Sequence, residues 1–137
     1  MRTPLLLDTC AAIWTVQDQL PPTTVEIMTR SYNEGDPIYL SPITAWELGL
    51  LFSRGRLRAA QSPLEFFRHL STLPGGRLAP MPPELLMQSS FLPGSPPADP
   101  ADRIMAATAR EYGYALVTRD ASLLAYAAEG HLKAIAC

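Results

Sequence analysis

Lysine is nearly absent from this chain. One, Lys133, stands against ten arginines, and the net charge over 137 residues is −2. No global basic field advertises nucleic-acid binding, so any phosphate contact must come from local arginines, whose planar fork suits phosphate. Cysteine is scarce as well. Cys10 and Cys137 show no metal-ligand spacing, and a reducing cytoplasm suits them best, with Cys10 a small apolar filler. No apolar run approaches the roughly 18 residues of a membrane span. No basic stretch leads into a long apolar segment, which argues against a signal peptide. Repeats and low-complexity tracts are missing too. A cytoplasmic protein with no membrane contact is expected.

What is present suits one domain with a real core. Apolar residues make up 47% and charged residues 18% of the chain, which excludes disorder, and a single domain over 1–137 is expected. Fourteen prolines fall at element starts and within residues 74–100, as punctuation.

The unbroken apolar run Leu5-Leu6-Leu7 predicts a strand over 4–8, covered on both faces as in a parallel sheet. A helix follows over 10–19, with Ile13, Trp14 and Val16 as core candidates. Pro22 opens a helix that fades near Asn33-Glu34-Gly35. Ile38-Tyr39-Leu40 is a second strand. Ser41-Pro42 caps and starts a helix running to about Gly55, with Trp46 in the core. Ser62-Pro63-Leu64-Glu65 is a capping box opening a helix through Leu73. A short strand over 77–79 and a helix from Pro82-Pro83 to Phe91 precede the Pro- and Gly-rich loop 92–98. Asp99 then caps a helix that ends at Gly113. A strand over 114–118, a helix over 121–128 and an edge strand over 132–136 complete an α/β domain with a mostly parallel central sheet flanked by helices.

Four carboxylates sit where burial should have removed them. Asp8 closes the first apolar run. Glu47 lies on the apolar surface made by Ile43, Thr44, Leu50 and Leu51, with no basic residue one turn away. Asp102 is in the first turn of its helix, and Asp120 follows the strand over 114–118. Each has a structural explanation alone, as a turn residue, an N-cap or a partner of the helix dipole. Parallel α/β sheets, however, build their sites beyond the carboxyl ends of the strands, and all four acids map to that edge. Clustered carboxylates repel unless protonated or bridged by a cation. An all-oxygen set with little His or Cys suits Mg²⁺ or Mn²⁺.

The segments Leu5-Leu6-Leu7-Asp8-Thr9, Ser41 through Leu48, Leu50 through Leu57, Asp99 through Ala109 and Leu116-Val117-Thr118-Arg119-Asp120, taken in order, resemble the PIN-domain family. Within it they are similar to the VapC-type toxins of bacterial toxin–antitoxin pairs. The resemblance spans nearly the whole chain and implies a PIN-like ribonuclease domain. It implies a metal-dependent endoribonuclease whose acids are Asp8, Glu47, Asp102 and Asp120, a homodimer, and a protein antitoxin that blocks the site. The chain departs from the family pattern where many relatives carry a His-Arg pair before the Asp99 position and an aromatic at 101. Here stand Pro96, Pro97, Ala98 and Ala101, and Cys10 replaces a more frequent His or Ser. Asp99 is read as a cap.

On that reading Asp8 and Asp102 ligate the ion first. Glu47 ligates or orients water, and Asp120 serves a second ion or supports the first. Thr9 and Thr118 hydroxyls aim the acids from outside the ion's contacts, or cap the local backbone. Arg54, Arg56, Arg103 and Arg119 are candidate contacts to RNA phosphates, with solvated surface as the plainer alternative. Base specificity would lie in loops 53–62 and 92–99. Two rivals remain open: the same chemistry on structured DNA, and a non-catalytic module whose acids bind a cation or partner. A flavodoxin-like phospho-receiver would need a lysine further from the terminus than Lys133.

Overall fold

Leu5, Leu6 and Leu7 form a strand, β1 (Leu5–Leu7), with every residue buried. It is the middle strand of a sheet, hydrogen-bonded on both sides. The computed structural model describes residues 3–137. After β1 come α1 (Thr9–Val16), α2 (Pro22–Asn33), β2 (Ile38–Leu40), α3 (Pro42–Ser53), α4 (Pro63–Ser71) and β3 (Gly76–Leu78). The chain continues through α5 (Pro83–Gln88), α6 (Pro100–Tyr112), β4 (Ala115–Thr118), α7 (Ala121–Ala128) and β5 (Lys133–Ala136). The five strands pair in the order β3-β2-β1-β4-β5, and every pairing is parallel. The sheet is thus wholly parallel where a mostly parallel one is expected. This is a single α/β domain.

The register explains the unbroken apolar run. Leu5 aligns with Ile38 and Ala115, and Leu7 with Leu40 and Val117. These residues share one face with Leu48, Phe66 and Leu70 of α3 and α4. Leu6 and Leu116 point to the opposite face and pack with Met105, Ala106 and Ala109 of α6 and with Leu123 and Tyr126 of α7. Side chains alternate across a strand; because helices cover both faces, both sets must be apolar.

Side-chain caps begin the helices as their residue types demand. Ser41 Oγ accepts from Ile43 N at 3.1 Å. Ser62 Oγ accepts from Glu65 N and donates to Glu65 Oε1, both at 3.2 Å. α1 is shorter than the expected 10–19: Asp8 caps it early, and Asp18, at φ 56°, takes a left-handed conformation that ends it. α5 stops at Gln88 rather than Phe91, and Ser89 Oγ donates back to Leu86 O at 2.6 Å. Strand β3 begins one residue early, at Gly76.

Trp46 is 57% exposed, against its expected place in the core. The buried line of α3 is Thr44 and Leu48. Trp46 is two residues from each, about 200° around the helix. Among the described residues, no helix is long and apolar enough to cross a membrane.

Gly113 ends α6 at φ 72°, in the left-handed region that glycine enters without strain. A Cβ there would meet nothing within 4 Å, so the cost of Gly113→Ala is conformational alone. Urea denaturation is expected to show a loss of about 1 kcal/mol; an unchanged midpoint would contradict the left-handed cap.

Candidate active site

The chain winds outward from β1 in one direction through β2 and β3, then returns to add β4 and β5 on the other side. The crevice beyond the carboxyl ends of β1 and β4 is therefore the point where strand order reverses, the usual place for a site in such a sheet. Asp8 is the residue after β1 and Asp120 lies just past β4.

Asp8 is 7% exposed. Its Oδ1 accepts from Ala11 N at 2.7 Å, capping α1. Its Oδ2 accepts from the Thr118 hydroxyl at 2.5 Å. That hydroxyl in turn accepts from Asp120 N at 3.0 Å. One threonine thus ties the end of β4 to the acid that follows β1. Asp120 caps α7, its Oδ2 accepting from Leu123 N at 3.0 Å and from the Ser122 hydroxyl at 2.5 Å. Cys137 N donates to Thr118 O at 3.1 Å and holds the outer side of the same strand end.

Glu47 projects from the second turn of α3. The Thr9 hydroxyl donates to its Oε1, and Thr44 Oγ1 lies 3.1 Å from Thr9 Oγ1. Since Thr9 gives its one proton to Glu47, Thr44 donates to Thr9. This buried relay fastens α3 to the start of α1. Thr44 carried no sequence signal of its own; its place three residues before Glu47, on one helix face, is the only hint. Asp102 sits in the first turn of α6, and its backbone N donates to Asp99 Oδ2 at 3.0 Å. α6 leads into parallel β4, which brings its N-terminus to the same edge.

Burial and mutual charge raise the carboxyls at this edge. Asp102 is pushed up from the usual 3.8 to about 7, first by burial and then by the charges of Asp120, Asp99, Glu47 and Asp8. Burial also raises Glu47, opposed by the Thr9 hydrogen bond and reinforced by Asp99 and Asp8. Asp8 is raised chiefly by burial, against the hydrogen bonds from Thr118 and Ala11, with Asp120 adding to the rise. Asp99 was read from sequence as a cap; it is one, and its charge also bears on two of the acids.

Among the described residues, no group of three or more His, Cys, Asp or Glu is gathered closely enough to hold a metal ion by itself. The acids share one electrostatic field without forming a closed cage. The donors nonetheless suit a hard divalent cation in kind: they are carboxylate oxygens, and no arginine or lysine among the described residues pairs with them. Mg²⁺ retains several waters and uses one or two carboxylates, so an open set is compatible with it. Burial and the Asp8 charge raise the nearby Cys10 thiol, against the charge of Arg119.

The arginines divide. Arg119, between Thr118 and Asp120, lies over the Trp14 ring with its Cζ 3.8 Å from the ring centroid. Trp14 is therefore only partly buried and carries a cation, rather than filling the core as expected. Arg103 Nη1 donates to Ser89 O at 3.4 Å and bridges α5 and α6. Arg54 is the C-cap of α3, about 10 Å along the axis from Glu47, and Arg56 lies two residues beyond it. The loop 92–99 is pinned: Ser95 N donates to Glu129 Oε1 at 2.9 Å and the Tyr126 hydroxyl to Pro93 O at 2.7 Å.

Raised carboxyl pKa values carry a stability consequence. Between the usual 3.8 and about 7, folded Asp102 holds a proton that the unfolded chain has released. The folded state binds more protons, so stability falls as pH rises through that window. Asp8 and Glu47 shift in the same direction. In EDTA, the melting temperature is expected to be lower at pH 8 than at pH 5, with Asp102→Asn removing part of the difference. The Asp102 share is on the order of 1–2 kcal/mol after allowance for solvent around a half-buried group. A melting temperature that rises over this range would contradict the proposed repulsion.

The PIN domain family matches residues 5–129 of the chain. Ribonuclease VapC22 of Mycobacterium tuberculosis is 31% identical over 121 residues, covering 88% of this chain and 90% of that protein. Among solved structures, VapBC2 from Rickettsia felis, bound to a DNA fragment from their promoter, superposes with a TM-score of 0.72 at 12% identity, covering 98% of each chain. FitAcB from Neisseria gonorrhoeae gives a TM-score of 0.55 at 21% identity over 96% of each chain. The two structures establish likeness of fold, and the family match with the VapC22 relationship settles descent: the chain belongs to the PIN-domain family, among its VapC-type members.

Proposed function

We propose that this chain, over its whole length 1–137, is a metal-dependent endoribonuclease domain that hydrolyses RNA phosphodiester bonds as the toxin of a toxin–antitoxin pair. The observation that carries the reading is the acid edge at the β1–β4 reversal. There, Asp102 is pushed up to about 7 by burial and by four other carboxylates, with no cationic side chain among the described residues to relieve it. Such a set is stabilised by a divalent cation. The name of the VapC22 relative, a ribonuclease, supports the choice of RNA.

Asp8 and Asp102 are assigned the direct metal contacts, with Glu47 and Asp120 completing them or orienting water. Bound Mg²⁺ or Mn²⁺ would polarise a phosphate oxygen and lower the pKa of a bound water. The chain's own contribution is positioning. Thr118 and Ala11 N hold both Asp8 oxygens at fixed angles, and the Thr44–Thr9 relay aims Glu47. Arg119 and Arg103 are nearest in sequence to the acids and are assigned to RNA phosphates, while Arg54 and Arg56 reach only a flanking stretch of a longer RNA. An apolar groove of about 370 Å³, lined by Trp14, Leu20, Val25, Met28, Tyr32 and Leu73 among others, offers the antitoxin a surface. A homodimer and a cytoplasmic location belong to the same reading.

Cleavage of RNA and DNA oligonucleotides side by side tests it. Wild-type protein is expected to cut RNA in Mg²⁺ or Mn²⁺, to stop in excess EDTA and to recover when the metal is restored. Full activity in EDTA would refute the metal mechanism, and preferential cutting of structured DNA would refute the substrate. Asp8→Asn is expected to lower the rate by on the order of 100-fold or more while circular dichroism stays unchanged; wild-type turnover would remove Asp8 from the site. Thr118→Val, which takes away the hydroxyl that aims Asp8, is expected to cost about 10- to 100-fold in activity or metal affinity.

A further inference from the structure

Trp14 and Arg119 have no role in the acid set, yet Arg119 stands next to Asp120 in the chain and its side chain meets Trp14. Arg119 leaves β4 between two fixed points. Thr118 is held through both its hydroxyl and its carbonyl, and Asp120 is committed to capping α7. The Arg119 backbone is therefore rigid, but its exposed side chain has four rotatable bonds. Left to solvent, such a side chain samples many rotamers, and ordering it on a ligand costs entropy. Here the guanidinium lies 3.8 Å above the Trp14 ring centroid.

Stacking engages the flat face of a guanidinium and leaves its in-plane N–H groups available. Among the described residues, no carboxylate lies within ion-pair distance of Arg119 and no hydrogen bond consumes its donors. The neighbouring arginines differ. Arg103 is tied to Ser89 O and Arg110 to His131 O. Trp14 also forms part of the wall of the apolar groove with Leu20, Val25 and Met28. It stands on α1, whose first turn is capped by Asp8.

We propose that Trp14 is a positioning residue that holds the guanidinium of Arg119, the residue before Asp120, with its N–H edge ready to take a phosphate of the RNA flanking the scissile bond. The proposal rests on the ribonuclease reading. Arg119 supplies the phosphate contact; Trp14 touches no substrate and acts by removing the cost of ordering that side chain. The stack also places a wall of the groove and a substrate-binding cation on one side chain.

Steady-state cleavage of a short single-stranded RNA at several salt concentrations, together with RNA titration in EDTA, tests this with Arg119→Gln, Trp14→Leu, Trp14→Phe and the double variant. Arg119→Gln is expected to raise KM about 10-fold, the loss of a charge-assisted hydrogen-bonded pair, with kcat little changed. The slope of log affinity against log salt should fall by about 0.7, one phosphate contact to a single strand. Trp14→Leu should shift KM in the same direction, Trp14→Phe should restore it, and the double variant should be no worse than Arg119→Gln alone. A wild-type KM in Trp14→Leu, effects that multiply in the double variant, or a loss confined to kcat would each overturn the proposal.

Should Trp14→Leu fail to fold, Trp14 emission in a Trp46→Phe background gives a second readout. It should change when RNA is added, and that change should disappear with Arg119→Gln; an identical response in both would also overturn the assignment. Absence of any RNA cleavage by wild-type protein in Mg²⁺ or Mn²⁺ would count against the ribonuclease reading instead, and the titration in EDTA would still judge the stack.

Discussion

Asp8 is buried between β1 and β4, and both its oxygens are already engaged before any ligand arrives. Burying a carboxylate is costly unless its oxygens are hydrogen-bonded. Ala11 N and the Thr118 hydroxyl meet that need, and they do so from α1 and β4, the two elements that border the crevice. The pair of bonds therefore satisfies a buried polar group and also fixes the angle between a helix and a strand far apart in sequence. Through Thr118 the same network reaches Asp120, and through α1 it reaches Thr9, Glu47 and α3.

The arrangement sets local polar satisfaction against long-range repulsion. Asp8, Glu47 and Asp120 are each served by neighbouring hydrogen bonds, yet burial first, and then the charges of the other acids, push Asp102 up to about 7. The domain carries that cost as lost stability at neutral pH.

Cation placement is selective. Ten arginines could in principle ring an acidic crevice, but helix geometry carries Arg54 and Arg56 away from it, and a backbone carbonyl engages Arg103. Arg119 lies over an indole, and among the described residues no hydrogen bond or ion pair takes its N–H groups. A flexible cation is thereby made rigid by an aromatic side chain from a different element.

The chain's local chemistry determined much of this protein. The apolar run before Asp8, the Ser-Pro and Asp-Pro helix starts and the glycine after Tyr112 specified elements close to those observed, because caps, prolines and apolar periodicity act over a few residues. The ordered acids and their flanking segments were enough to indicate the family. Only the tertiary structure decided what lies next to what. It ended α1 at a left-handed Asp18, turned Trp46 outward, added the charge of Asp99 to the acid field, paired Thr44 with Thr9 and laid Arg119 on Trp14. These outcomes depend on parallel strand register and on the rotation of each helix about its axis. Both are fixed by the packing of residues distant in sequence, and no local pattern encodes them.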